Sequence, residues 1–170
     1  MSTPDAFPSL WSYALDRYAR PGAETLCLTL QDAHGWDICE LLWIAWLSEQ
    51  RRRPDPDAAD ALADARAWQR EMTVPLRKRR RALKSEARLQ PRLEPLRQTL
   101  KQAELQAERE MLTRLEALPT LAGEPETGVE LALRACRTLR DIDDDAYPVL
   151  RDLLACWLID TSDAEPKSNC

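Results

Sequence analysis

The chain has 170 residues, 44% of them apolar, with a formal net charge of −5, one His and five Cys. That length fits a single domain with at most one extended projection, and the apolar share is enough to fill a core. The longest uncharged apolar run, Leu41 to Leu47, falls far short of the ~20 residues that cross a bilayer, so a helical membrane span is excluded.

Four Gly, few β-branched residues and long runs of Ala, Leu, Arg, Glu and Gln predict helix throughout. Residues 9–19 read as a short helix with Leu10, Tyr13, Ala14 and Tyr18 inward, stopped by Arg20-Pro21-Gly22. A second helix over 23–33 buries Leu26, Cys27 and Leu30, and Gly35 is placed to end it. Asp37, with Glu40 three residues on, starts a third helix that is apolar all round from Ile38 to Leu47, hence central. Arg51-Arg-Arg-Pro-Asp-Pro56 is expected to be a loop.

Residues 57–89 then read as one long helix. Leu62, Ala65, Trp68, Met72, Leu76, Leu83 and Ala87 keep one phase at 100° per residue, straight through Pro75, so the helix is expected to kink near Thr73–Val74 and continue. After the turn at Gln90-Pro91, the positions Leu96, Leu100, Ala103, Ala107, Met111, Leu115 and Leu118 alternate three and four apart. That is the pattern of a two-helix seam, so 57–118 is predicted to fold as an antiparallel helical hairpin. A loop over 119–127 leads to a final helix pair within 128–159, burying Val129, Ala132, Leu133, Cys136 and Leu139, then Val149, Leu150, Leu153, Leu154 and Trp157. Residues 160–170 are expected to be a disordered tail, and 7–50 a three-helix N-terminal part of the same domain.

Charge is unevenly spread over these elements. Segment 51–101 holds fifteen Lys and Arg against seven Asp and Glu, whereas 1–50 holds two against seven and 102–170 seven against fifteen. On the helical wheel Arg66, Arg70, Arg77, Arg81, Lys84 and Arg88 gather within about 60° of one another, beside the apolar stripe. A row of arginines concentrates anions and suits bidentate carboxylate or phosphate contacts. The expected partner is an acidic protein, with RNA or the ribosome as the alternative polyanion. A solvated face, or pairing with the acid-rich loop Asp141, Asp143, Asp144 and Asp145 of the same chain, is the plainer reading.

Other constellations carry less. His34 has Cys27, Cys39, Asp32 and Asp37 nearby in sequence, but the spacing matches no zinc pattern and supplies no fourth ligand, so a structural histidine is expected and a His34-centred enzyme is the outside reading. Asp141, Asp143 and Asp145 mimic the first positions of a calcium loop, yet Ala146 stands where that loop's turn needs Gly, and helix capping explains the acids better. Trp36, Trp43 and Trp46 could cage a cation, although core filling accounts for their spacing. No metal, cofactor or membrane partner is expected; a homo-oligomer is compatible with the pattern. Scattered Cys with no CxxC, and an N-terminus without a basic, apolar leader, point to a reducing cytoplasm.

The first half also resembles a known family. Leu10-Trp-Ser-Tyr-Ala-Leu-Asp-Arg-Tyr18, Arg20-Pro-Gly22, Cys27-Leu-Thr-Leu-Gln-Asp32, Gly35, Asp37 and Leu41-Leu-Trp43 are similar to small bacterial helical proteins of unknown function. Trp68, Val74-Pro-Leu-Arg77 and Leu83-Lys84 match the same family's second block, which extends the likeness over about residues 7–90. Cys39 stands where a polar residue such as Asn would be expected. The resemblance implies a helical fold and supplies no catalytic residue. The expectation is therefore a non-enzymatic all-α adaptor whose basic stripe is its binding surface.

Overall fold

The computed structural model describes residues 7–123 and 128–158; the tail expected over 160–170 lies outside them. Eight α-helices are present among the described residues. They are α1 (Leu10–Tyr18), α2 (Ala23–His34), α3 (Ile38–Glu49), α4 (Ala59–Trp68), α5 (Val74–Leu89), α6 (Glu94–Glu116), α7 (Val129–Leu139) and α8 (Ala146–Leu158). The fold is all-α, as composition requires. Two three-residue strands, β1 (Arg52–Pro54) and β2 (Thr120–Ala122), pair as a small sheet in stretches expected to be loops. Gly123 belongs to that turn of chain for a steric reason: a Cβ there would stand 3.0 Å from the Arg51 carbonyl oxygen.

Two compact units divide the chain, and each is built from separate stretches of sequence. One holds residues 7–13 and 54–121, the other 14–53 with 122–123 and 128–158. The predicted hairpin falls wholly in the first unit. The predicted N-terminal part divides, because the start of α1 goes with the hairpin while α2 and α3 go with the C-terminal helix pair.

In the second unit α3 is the axial element. Eight of its residues are buried, including Leu41, Leu42, Trp43, Ile44 and Leu47, so its apolar circumference is used on every side. Asp37 caps it, its carboxylate accepting from the Cys39 amide at 2.8 Å and the Glu40 amide at 3.3 Å. Gly35 ends α2 at φ 64°, a left-handed conformation that costs glycine little, and the Trp36 amide closes back on the Leu30 carbonyl at 3.0 Å. Around these pack Leu133, Cys136, Leu150, Leu153, Leu154 and Trp157, all buried as the spacing predicts. Trp157 also donates from Nε1 to the Arg17 carbonyl at 3.1 Å, and Arg20 donates to the Cys156 and Trp157 carbonyls at the end of α8. Tyr18, expected inward, is exposed at 41%.

The first unit is the hairpin with the start of α1. The Leu10 amide donates to the Glu116 carboxylate at 3.2 Å, tying the entry of α1 to the exit of α6. Between α4 and α5, where the sequence predicts a kink, the backbone widens into a π turn, Gln69–Thr73. Pro75 supplies the reason. In a regular α-helix its ring would crowd the Glu71 carbonyl and offer it no N–H. In the π turn the Val74 amide reaches back five residues to the Gln69 carbonyl instead. At the wide turn the inward position passes from Met72 to Thr73, while Leu76, Leu83 and Ala87 beyond it keep their expected side. Met72, expected in the apolar stripe, is 42% exposed, and Thr73 is fully buried in its place.

Candidate functional site: the cationic helical hairpin

The shift at the π turn decides what the basic stripe becomes. Arg77, next in the inward series after Thr73, turns toward α6 and lies largely buried in the seam. Its Nε donates to Glu104 at 2.9 Å and its Nη2 to Glu108 at 2.7 Å, each an ion pair. Arg80 enters the same network from one turn further on, with Nε on Glu104 and Nη2 3.3 Å from that carboxylate's other oxygen. Glu104 is itself buried, at 6% exposure, with both oxygens used. On the turn below, Trp68 donates from Nε1 to the Ala107 carbonyl at 3.0 Å, and the Arg114 guanidinium lies 4.5 Å from its ring.

Electrostatics follow the geometry. Burial pushes the Glu104 carboxyl up, but hydrogen bonds from Arg80 and Arg77 outweigh it and hold the group below the usual carboxylate value. Glu108 goes the other way, raised by burial that its Arg77 contact only partly offsets. Burial works against the Arg77 charge, and Glu108 and Glu104 overcome it, so its pKa is raised. The Glu104 hydrogen bond does the same for Arg80. The pairing thus favours the charged forms of Arg77, Arg80 and Glu104, while burial works against that of Glu108.

The remaining stripe residues are placed differently. Arg66 is half-buried on α4, and Arg70 is exposed on the π turn beside Glu71 at 3.4 Å. Arg81, Lys84 and Arg88 are exposed along α5. Lys78 and Arg79 join them on the outer surface, and Arg92 and Lys101 lie exposed past the turn. Between residues 78 and 102 the sequence has nine Lys and Arg against two acids, Glu86 and Glu94. The end of the hairpin is thus a concentrated positive surface, while Arg77 serves the seam beneath it.

Sequence reasoning did not foresee Arg80, Glu104 and Glu108 as a unit. Glu104 and Glu108 stand one residue after Ala103 and Ala107, so they flank the apolar seam, and a basic pair opposite them was the signal to find. Arg80 stands four residues after Leu76 and three before Leu83, within the apolar stripe itself, which was half of that signal.

The other candidate residues lie in the second unit. Asp143 caps α8, accepting from the Ala146 amide at 2.6 Å, as the capping reading of that loop expects. Its carboxylate is also 3.6 Å from His34 Nδ1. Asp141, Asp144 and Asp145 are exposed. Arg140 donates to the His34 and Gly35 carbonyls, each at 2.7 Å, and its guanidinium lies 4.7 Å from the Trp36 ring. His34 therefore sits in a helix-terminus assembly. Cys27, its candidate partner, is buried, and burial above all, with smaller contributions from Cys156 and Glu24, pushes its thiol up to about 12. A thiol so placed is protonated at neutral pH and a poor nucleophile. Trp36 and Trp43 are core residues, and Trp46 is half-buried. No helix among the described residues is long and apolar enough to cross a membrane.

The family described as Protein of unknown function (DUF2390) matches residues 9–115. The chain belongs to that family. The DUF2390 stretch runs from α1 to the last turn of α6, so it contains every stripe residue together with Glu104 and Glu108. The Asp141–Asp145 loop, α7 and α8 lie outside it. No curated protein and no solved structure matches the chain.

Proposed function

We propose that this protein is a non-enzymatic interaction protein of the cytoplasm whose hairpin binds an acidic protein partner. The observation that carries the reading is that seven of the nine cations over 78–102 are exposed, namely Lys78, Arg79, Arg81, Lys84, Arg88, Arg92 and Lys101, while Arg80 and Arg97 pair with Glu104 and Glu94. Arg70 extends that surface, whereas Arg77 supports it from the seam. Such a surface raises the local concentration of an acidic partner and speeds its arrival. A protein is favoured over RNA because residues 78–102 include no aromatic side chain on which a base could stack. Buried thiols at Cys27, Cys39 and Cys136 suit a reducing compartment.

Charge reversal at exposed positions tests this without disturbing the core. K78E/K84E/R88E should abolish partner capture from native lysate at low salt, with unchanged far-UV circular dichroism and unchanged nuclease insensitivity of the wild-type capture. Retained partners in the triple variant would dismiss the reading, and loss of wild-type capture after nuclease treatment would move it to RNA.

A further inference from the structure

The cationic end of the hairpin also carries the largest exposed aliphatic side chains of the first unit. Leu89, the last residue of α5, is 84% exposed, and Leu96, in the first turn of α6, is 50% exposed. They flank the turn formed by Gln90 and the 3₁₀ residues Pro91–Leu93. Leu96 opens the seam pattern in sequence yet is half in water, although Ala87 on α5 is buried and Leu100 and Ala103, further along α6, are half-buried. Single exposed leucines are ordinary on protein surfaces. Two at one hairpin end accompany the exposed Lys84, Arg88, Arg92 and Lys101 of the same two helices and their turn.

Resting on the reading above, we propose that this end is the contact site itself and that it takes an acidic segment with apolar anchors, such as an amphipathic helix with Glu or Asp around two aliphatic side chains. Charge complementarity selects the acidic character. Leu89 and Leu96 select the anchors, because removing their exposed aliphatic surface from water adds to affinity. A purely acidic stretch would satisfy the cations and leave both leucines in water. The turn between them is short and contains Pro91, whose ring fixes its own φ and so lowers the cost of ordering that turn on binding.

Panning a random dodecapeptide phage library on the full-length protein at low salt separates the two levels of this claim. Enriched peptides should be net negative with at least two aliphatic or aromatic residues, and L89S/L96S should weaken the best of them at least tenfold. K84E/R88E should remove binding altogether. Enrichment of acidic peptides without apolar residues, or equal binding to L89S/L96S, would overturn the anchor site while leaving the acidic-partner reading intact. A selection without acidic enrichment would overturn both. Anionic vesicles of phosphatidylglycerol and phosphatidylcholine complete the set. Binding to them that L89S/L96S abolishes, in the absence of acidic peptide enrichment, would reassign the hairpin end to a lipid surface.

Discussion

Arg77 and Arg88 stand about three helical turns apart on α5, carry the same charge, and do different work. Arg77 is folded into the α5–α6 seam on Glu104 and Glu108, whereas Arg88 faces solvent near the hairpin turn. Net charge per segment cannot tell these roles apart. What separates them is whether a carboxylate waits across the seam, and whether the backbone phase aims the side chain at it. A buried ion network is costly to break and contributes little as a recognition surface, while an exposed cation contributes little to stability and remains available to a partner.

The strongest way to break the comparison is to remove the shared carboxylate. Glu104→Ala leaves Arg80 without its carboxylate and Arg77 with Glu108 alone, and should cost on the order of 3 kcal/mol in urea unfolding. Arg88→Ala, by contrast, should stay within about 0.5 kcal/mol, as surface changes do. Equal effects from the two variants would erase the distinction.

A smaller effect sharpens it through pH. Glu104 is held below the ordinary carboxylate value of 4.5, so the unfolded chain takes up the proton first. The stability that Glu104 supplies is thus fully present above that value and is lost as pH falls through its folded value. Glu108, raised by burial, has the opposite sign, since acidification through its folded value relieves a burial penalty. Between pH 5 and pH 3, by about one unit either side of the ordinary value, wild type should lose stability more steeply than Glu104→Gln in urea titrations at each pH. Identical slopes would remove Glu104 from the account.

The smallest effect concerns the phase. Pro75→Ala removes the stated cause of the π turn, restores an N–H at position 75 and relieves the ring's crowding. Because Gln69 and Thr73 are already buried around the widened turn, the stability change should stay within about 1 kcal/mol, read from the urea midpoint. Amide exchange at Val74 should report whether its bond to Gln69 survives. A variant that reverts to a regular helix with Met72 buried would show that the proline alone set the register.

Local chemistry alone determined much of this protein. Asp37, Gly35, Pro21-Gly22 and Gln90-Pro91 mark helix ends because caps, left-handed glycine and proline act within a few residues of themselves. The all-round apolar run over 38–47 fixed α3 as the central helix, since no side of it could face water. The hairpin followed from the matching seams of 57–89 and 92–118. Three things needed the tertiary structure. The π turn answers a backbone conflict that an idealised wheel does not contain. The choice of Glu104 and Glu108 as partners for Arg77 and Arg80 depends on which turns of two helices meet, which is a question of register across the seam. The exposure of Leu96 depends on how far along α6 the seam is covered, and sequence spacing marks it as seam-like without saying that half of it is left in water. Periodicity names a face; only packing decides what covers it.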